Sequence, residues 1–430
     1  MFFGTLYIPG QYRAITLLSG MTHHRMNETI TSQNVASLQF TLRWRSSHAA
    51  HQDVLFAGKV NFWSDLFPPL LYDTLTGGAA GEEFFFTSRE VSLTPPFDPD
   101  NEFPVEQQQF DRRFAYPASI EPRLGRFYPK GILKAIPNVF KSNIEPFRCT
   151  GLDEKSLTVD FNHPMARHEA TLAVRVVEVR RKPGEIGGSC TSWVEAATDG
   201  PGMQARSRGM PTDFFSDGAF HREDERPDSY FYDTPRLVTH IDEQASSVIS
   251  GIYGQLLSDG MVVLDLMSSW RSHVPPDIKL RNLVGIGLNE EELRENPQLT
   301  RYLIHDLNRE FRLPFGSNAF NAVICTVSIE YLTRPFEVFD EIARVLTPGG
   351  VCIMTFSNRW FPPKVVRIWR EINEFERMGL VSEYFLRSGK FDGIETCSMR
   401  GLPRPEDDHY FPQFMTSDPV YAVWGRNVVD

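Results

Sequence analysis

Two periodicities divide the chain. From Ser37 to about Arg181 apolar residues recur mostly at every second position: Leu38, Phe40, Leu42 and Trp44 alternate with polar side chains, as do Leu157, Val159 and Phe161, and Leu172 to Val179 is a further strand candidate. A period of two lays one face of a strand on a core, so this region is expected to be β-rich, with one short helix near Pro69–Leu75. Residues 183–228 have another character. Seven glycines lie among Arg, Asp and Pro, which suits a connector, yet Trp193, Met203, Phe214, Phe215 and Phe220 are too many large apolar groups for a free tether, so much of it is expected to be packed.

From about residue 229 short apolar runs alternate with helical stretches. Thr234-Pro235 signals a helix start, a hydroxyl cap followed by proline, and Leu237, Ile241, Ala245, Val248, Ile252 and Leu256 then share one stripe. Strands are expected at Val262–Leu264, Leu283–Ile286, Tyr302–Ile304, Phe320–Thr326 and Val351–Phe356, with Ile394–Met399 and Val420–Trp424 able to close the sheet. Helices are expected to begin at Glu290 and to span Phe336–Leu346, the latter stopped by Thr347-Pro348-Gly349-Gly350. Such alternation is the signature of a parallel sheet with crossover helices. The run Val262-Val263-Leu264 would deliver Asp265 to the carboxyl edge of that sheet, where open α/β sheets bind ligands. A buried strand followed by an ordinary loop reads equally well, because the loop from Leu266 to His273 holds no glycine.

Composition narrows the function classes. A chain of 430 residues can hold two or three domains, and a net charge of −11 argues against nucleic acid as the default partner. No apolar run approaches the roughly 20 residues a membrane helix requires, so no membrane association is expected. The five cysteines are widely spaced without a Cys-x-x-Cys pair, which fits reduced thiols in the cytoplasm and no structural zinc. Residues 1–36 read as a disordered leader. The acid-poor first 50 residues leave an organellar address as the alternative, and an over-extended start ahead of Met21 or Met26 as another.

Val159-Asp160-Phe161-Asn162-His163-Pro164-Met165-Ala166, preceded by Tyr128-Pro129-Lys130 and Ile136-Pro137-Asn138-Val139-Phe140 and followed by Leu172–Val176, resembles the C-terminal half of SlyD-type FKBP prolyl isomerases. Upstream, Leu71–Gly77 with Gly81-Glu82 is similar to that family's helix and following turn. The resemblance implies an FKBP/SlyD-like domain over 37–182 that holds polypeptide. Leu172 stands where the family commonly has Phe and Arg167 where its loop ends in Gly, so isomerase activity does not follow from it. His163 and His168 read as structural histidines, and no metal is assigned.

The second half resembles the class I S-adenosylmethionine-dependent methyltransferases of the type 11 branch. Val263-Leu264-Asp265, Val284-Gly285-Ile286, Asp306 followed by Leu313-Pro314-Phe315, Phe320-Asn321-Ala322-Val323 and Arg344–Gly350 carry the likeness, in order and at family spacing. The fold class expected is therefore α/β plus β-rich, with a Rossmann-like seven-stranded methyltransferase sheet over 229–430. The resemblance implies S-adenosylmethionine as cofactor. It places Asp265, Leu266, Met267, Ser268 and Ser269 beside the amino-acid part, Gly287, Leu288 and Asn289 beside the ribose, Asp306 and Leu307 at the adenine, and Thr326 and Val327 at the methyl-transfer face. Met267, Ser269 and Arg271 stand in place of the family's loop glycines, Gly287 in place of its ribose-binding acid, and Asn321 in place of the usual Asp. Tyr331, Glu330 and His273 are the catalytic candidates, and Arg236, His240, Arg359 and Trp360 the candidate substrate contacts. The acceptor is open, a polypeptide held by the FKBP-like domain being one option. A degenerate methyltransferase fold serving as scaffold in a chaperone or isomerase-like binding protein is the other reading.

Overall fold

The alternating segments form strands, as their period requires, but they join a sheet much larger than expected. The computed structural model describes residues 28–114, 119–182 and 190–428. Its strands are β1 (Asn34–Arg45), β2 (Ala50–Val60), β3 (Glu83–Thr87), β4 (Glu102–Glu106), β5 (Phe127–Pro129), β6 (Pro146–Leu152), β7 (Ser156–Asp160), β8 (Ala170–Arg181), β9 (Val262–Leu266), β10 (Asn282–Gly287), β11 (Arg301–Ile304), β12 (Phe320–Thr326), β13 (Leu346–Phe356), β14 (Phe391–Arg400) and β15 (Val420–Asn427). One sheet runs β11-β10-β9-β12-β13-β15-β14-β2-β1-β8-β3, and a second, β4-β7-β6-β5, is antiparallel.

The first seven strands of the large sheet are the seven expected from the sequence. β9 to β13 are mutually parallel and β15 enters antiparallel between β13 and β14. Chain order reverses at β9, which sits between β10 and β12, and the carboxyl ends of these strands define the crevice in which such sheets bind ligands.

The expected division at 182/183 does not divide the fold. β2 adds in parallel to the edge of β14, with Glu395 opposite Ala50 and Arg400 opposite Leu55, and β1, β8 and β3 continue the same sheet. Buried polar groups fix the join: His51 Nδ1 lies 2.8 Å from Thr396 Oγ1, and Ser398 Oγ donates to Asp53 Oδ1 at 2.7 Å. Residues 37–182 are thus shared between two sheets instead of closing one β domain. The edge of the seven-stranded part, at β14, which would otherwise expose unpaired backbone, is covered by them. The leader boundary at residue 36 is also corrected, since Ile30 is fully buried and β1 begins at Asn34; residues 1–27 lie outside the described residues.

The connector packs, as its aromatics require. Met203 and Phe214 are buried in the core of the second half, with Phe215 and Phe220 against it. The helix Glu374–Ser388 explains several buried charges: Glu383 takes both Nε and Nη2 of Arg206 at 2.7 and 2.8 Å, and Glu376 pairs with Arg126 at 3.3 Å. Buried acids so placed are tolerated because each has its partner. The helix expected from Pro235 instead begins at Glu243, capped by Asp242, whose carboxylate accepts from Ala245 N, Ser417 Oγ and Asp418 N and pairs with Arg404. Leu237, expected on its stripe, is exposed. Among the described residues no helix is long and apolar enough to cross a membrane, and the five cysteines are free, four of them buried.

Candidate functional site

A cleft of about 790 Å³, part of it open to solvent, lies over the carboxyl ends of β9, β10, β11 and β12. Its floor is the loop after β9. Met267 there takes a left-handed backbone (φ 53°), which turns the chain so that Ser268 N donates to Ile286 O at 2.7 Å. The loop therefore crosses the end of β10. A Cβ on Gly287 would lie 2.2 Å from Ser268 O, so the position must be glycine here, although its backbone is not left-handed.

Asp265 is the loop's anchor. Ser268 Oγ and Ser272 Oγ each donate to its Oδ2 at 2.6 Å, and Asn296 Nδ2 donates to Ser272 Oγ at 2.9 Å and to Ser269 O at 2.8 Å. Burial pushes the Asp265 carboxyl up to about 7, against the two hydroxyls that favour its charged form. The serines thus tighten a glycine-free loop by bonding a buried carboxyl, while Met267 takes the left-handed angle that a glycine would otherwise supply.

Of the sequence-predicted cofactor residues, Met267, Ser268, Ser269, Gly287, Leu288, Asn289, Asp306, Leu307 and Val327 line the cleft. Asp265 and Leu266 do not: both are buried behind it. Thr326 is also withdrawn, its hydroxyl 2.6 Å from Tyr253 Oη. Val327, at the end of β12, has φ 47°, a left-handed conformation that is a real outlier for a β-branched residue and the kind of local strain that gathers at ligand sites. Asn289 is occupied. Its Oδ1 accepts from Glu292 N at 3.0 Å as the cap of the helix Glu290–Glu295, and its Nδ2 donates to Tyr232 O and Asp233 O at 2.9 and 3.1 Å. Replacing Asn289 by Ala is expected to cost about 1 kcal/mol through the lost cap and to free the segment it holds, read as faster amide exchange over residues 229–240.

That segment forms the wall that sequence reasoning missed. Asp228, Tyr232, Arg236 and His240 all line the cleft, so Arg236 and His240 fall at the site as expected, but from a loop and not from a helix. Arg236 N donates to Glu292 Oε1 at 2.7 Å, and its guanidinium lies over the Phe231 ring at 4.7 Å and the Phe361 ring at 5.4 Å. Asp228 is fixed by three donors: Arg222 Nη1 at 2.7 Å, Lys364 Nζ at 3.2 Å and Asn308 Nδ2 at 2.8 Å. Glu292, His305, Asn308, Ser328 and Phe361 also line the cleft without having been predicted. The turn His305–Asn308 directly after β11 could have marked two of them, since loops leaving parallel strands carry ligand contacts.

Of the catalytic candidates only Tyr331 reaches the cleft, where its Oη accepts from Phe361 N at 2.9 Å. Glu330 is fully buried behind it, with neither carboxyl oxygen hydrogen-bonded, and burial pushes its carboxyl up to about 8. His273 lies outside the cleft, burial lowering its imidazole to about 4. Arg359 and Trp360 are likewise outside. The first lies over the Tyr410 ring at 4.6 Å, and Arg377 lies over the second at 4.4 Å, which places both in packing contacts. Two cleft atoms are buried without a partner, Arg236 Nη1 and His305 Nε2.

Residues 276–354, from the approach to β10 through most of β13, match the family described as "Methyltransferase domain". The similarity to that domain family lies in the C-terminal part of the chain. The matched stretch of that domain begins after the glycine-free loop. Among curated proteins, a malonyl-[acyl-carrier protein] O-methyltransferase of Marinomonas sp. (strain MWYL1) is 23% identical over 103 residues, 24% of this chain and 36% of that protein. The chain spans about a third of the length of this curated relative. Among solved structures, a Haloferax volcanii complex of the Trm112 methyltransferase activator with a methyltransferase aligns at 16% identity, covering 43% of this chain and 90% of that one, with a TM-score of 0.32. An S-adenosylmethionine dependent methyltransferase from Mesorhizobium loti aligns at 14% identity over 41% and 96% (TM-score 0.28), and a SAM dependent methyltransferase from Aquifex aeolicus at 15% over 44% and 92% (TM-score 0.29).

Proposed function

We propose that the protein is an S-adenosylmethionine-dependent methyltransferase whose cofactor occupies the cleft over β9–β12. The observation that carries this reading is the pair of unpartnered buried nitrogens, Arg236 Nη1 and His305 Nε2, in a cleft at the reversal of strand order. Buried polar atoms without partners are rare and await a ligand or water.

The donor set fits the cofactor at its two ends. Arg236 offers a guanidinium for the amino-acid carboxylate, a charge-assisted contact. Asp306 turns one carboxyl oxygen, Oδ1, to Asn308 N and Arg309 N at 3.0 and 3.2 Å, leaving the other for the adenine amino group, with Leu307 beside it. Between these ends the site departs from the family pattern, because Gly287 carries no acid and Asn289 is already bonded. His305, whose Nε2 has no partner, offers a polar side chain for the ribose. The cofactor, when bound, supplies an electrophilic methyl group. The chain's own residues orient, and close the cleft to water through the aromatic wall of Tyr232, Tyr331 and Phe361. In-line placement supplies most of the rate in such a transfer.

Replacing Arg236 by Ala is expected to weaken S-adenosylmethionine binding roughly 10- to 150-fold, the worth of a hydrogen bond to a charged group of about 1.5–3 kcal/mol. Titration calorimetry of both proteins checks it, and equal affinities would remove Arg236 from the site. The acceptor is left to the open end of the cleft. The polypeptide-holding role that the FKBP-like resemblance implies for residues 37–182 forms no part of this reading, which uses them as the extension of the sheet.

A further inference from the structure

A second pocket, of about 870 Å³ and partly open to solvent, lies far from the methyltransferase cleft in sequence, where the β1–β2 turn, the small sheet and the connector meet. Its walls are unusually basic. Arg148 comes from β6, Arg167 from the loop after β7, and Arg206 and Arg208 from the connector; Asp160 is the one acid among the lining residues.

Three of these guanidiniums are already ion-paired, with two carboxylates between them. Arg206 is held bidentately by Glu383, while Arg167 and Arg208 share Glu102, and Arg167 also stacks on Phe97. Asp160 is engaged as well, its Oδ1 accepting from Asn162 N at 2.9 Å and Nδ2 at 2.8 Å. Arg148 is different. It is only 9% exposed, its Nε donates to Gly125 O at 3.0 Å and its Nη2 to Ala205 O, and its guanidinium lies 4.5 Å from the Phe127 ring. No carboxylate among the described residues forms an ion pair with it. The acids whose field acts on it are Glu376, already paired with Arg126, and then Asp160, which lines the pocket without forming an ion pair with it.

A buried cation without a counter-ion is costly, and proteins seldom keep one unless something anionic visits it. Burial lowers the Arg148 guanidinium to about 10, still charged at neutral pH. Ser47 and Ser207 line the same pocket and can supply neutral donors around the fixed charge, while the hydroxyl of Ser46, also in the lining, is held by His51 Nε2 at 2.9 Å.

We propose that this pocket binds a small tetrahedral oxyanion, phosphate or the phosphoryl group of a small molecule, with the Arg148 guanidinium as its central contact and the serine hydroxyls around it. Arginine's planar fork suits this ligand class. Because Arg167 and Arg208 share one carboxylate, the mouth keeps an excess of positive charge that attracts anions.

Thermal unfolding of the full-length protein in phosphate, glycerol phosphate and acetate at constant ionic strength tests it. The melting temperature is expected to rise saturably with both phosphates and not with acetate. A tighter response to glycerol phosphate would support a carried phosphoryl group, and an equal one free phosphate. Arg148→Met is expected to lose at least tenfold in phosphate affinity. So is Ser47→Asp, which sets a carboxylate on the exposed rim and leaves the buried arginine in place, so it decides the matter if the first variant does not fold. No rise beyond that in acetate would overturn the proposal, as would phosphate affinity within twofold of the parent in the variants that fold.

Discussion

Gly287→Asp, which restores the acid that the methyltransferase family carries at the end of its second strand, is expected to break the cleft and not to improve it. The new Cβ would meet Ser268 O at 2.2 Å, with Ser268 C and Leu293 Cδ2 at 3.3 Å. The main obstacle is backbone, so no rotamer relieves it. The loop would have to lift, which breaks the Ser268 N to Ile286 O bond and pulls Ser268 from Asp265. Adding a buried charge to the overpacking brings the cost to roughly 3–5 kcal/mol, in the severe tail of single substitutions. Urea unfolding measures it. A variant as stable as the parent that binds S-adenosylmethionine more tightly would mean that the loop does not close over β10 as described.

Glu330→Gln is expected to act in the opposite sense and only at high pH. The Glu330 carboxyl titrates near 4.5 when solvated and near 8 when buried in the fold. A raised carboxyl is favoured neutral, so its contribution to stability is complete below pH 4.5, falls as pH rises and is lost above 8. Glutamine has nearly the same shape and never ionises. The variant should match the parent at pH 4.5 and exceed it at pH 9 by a few kcal/mol, at about 1.4 kcal/mol per unit of separation. Asp265, raised to about 7, adds a second decline to the parent between about pH 4 and 7 that the variant keeps. Denaturant midpoints at the two pH values provide the comparison. A variant less stable than its parent at pH 9 would show that a cation compensates Glu330 in the fold.

Local pattern made most of the sheet legible. The runs at Val262–Leu264, Leu283–Ile286, Tyr302–Ile304, Phe320–Thr326 and Val351–Phe356 fall within β9 to β13, and the short helix Pro69–Leu75 has the expected ends. These elements are set by their own burial period, which sequence displays directly. What stayed hidden depends on distant partners. The parallel addition of β2 to β14 is selected by His51 with Thr396 and Asp53 with Ser398, pairs 345 residues apart, and nothing local distinguishes it from a separate β domain. The start at Glu243 and not Pro235 follows from the Asp242 cap being held by Arg404, Ser417 and Asp418.

The same division holds at the cleft. The resemblance placed Asp306, Leu307 and the loop after β9 beside the cofactor, and Asp306, Leu307 and Met267 to Ser269 line the cleft. Asp265 was also placed at the right strand end, but its role is to hold the loop, because two serines a few residues on turn its carboxylate inward. Met267 and Ser269, which stand in place of the family's loop glycines, line the cleft in a loop that crosses the end of β10. Arg359 and Trp360 read as a grip for substrate, yet each finds a partner in packing, Tyr410 and Arg377 respectively.

The central claim, that the cleft over β9–β12 holds the methyl donor, is tested most directly by a crystal structure grown with millimolar S-adenosylhomocysteine, the demethylated cofactor. The predicted result is the ligand in the cleft, its carboxylate on Arg236 Nη1, its adenine amino group on Asp306 and its ribose beside His305. An empty cleft at that concentration, with Arg236 Nη1 and His305 Nε2 bonded to water alone, would contradict it.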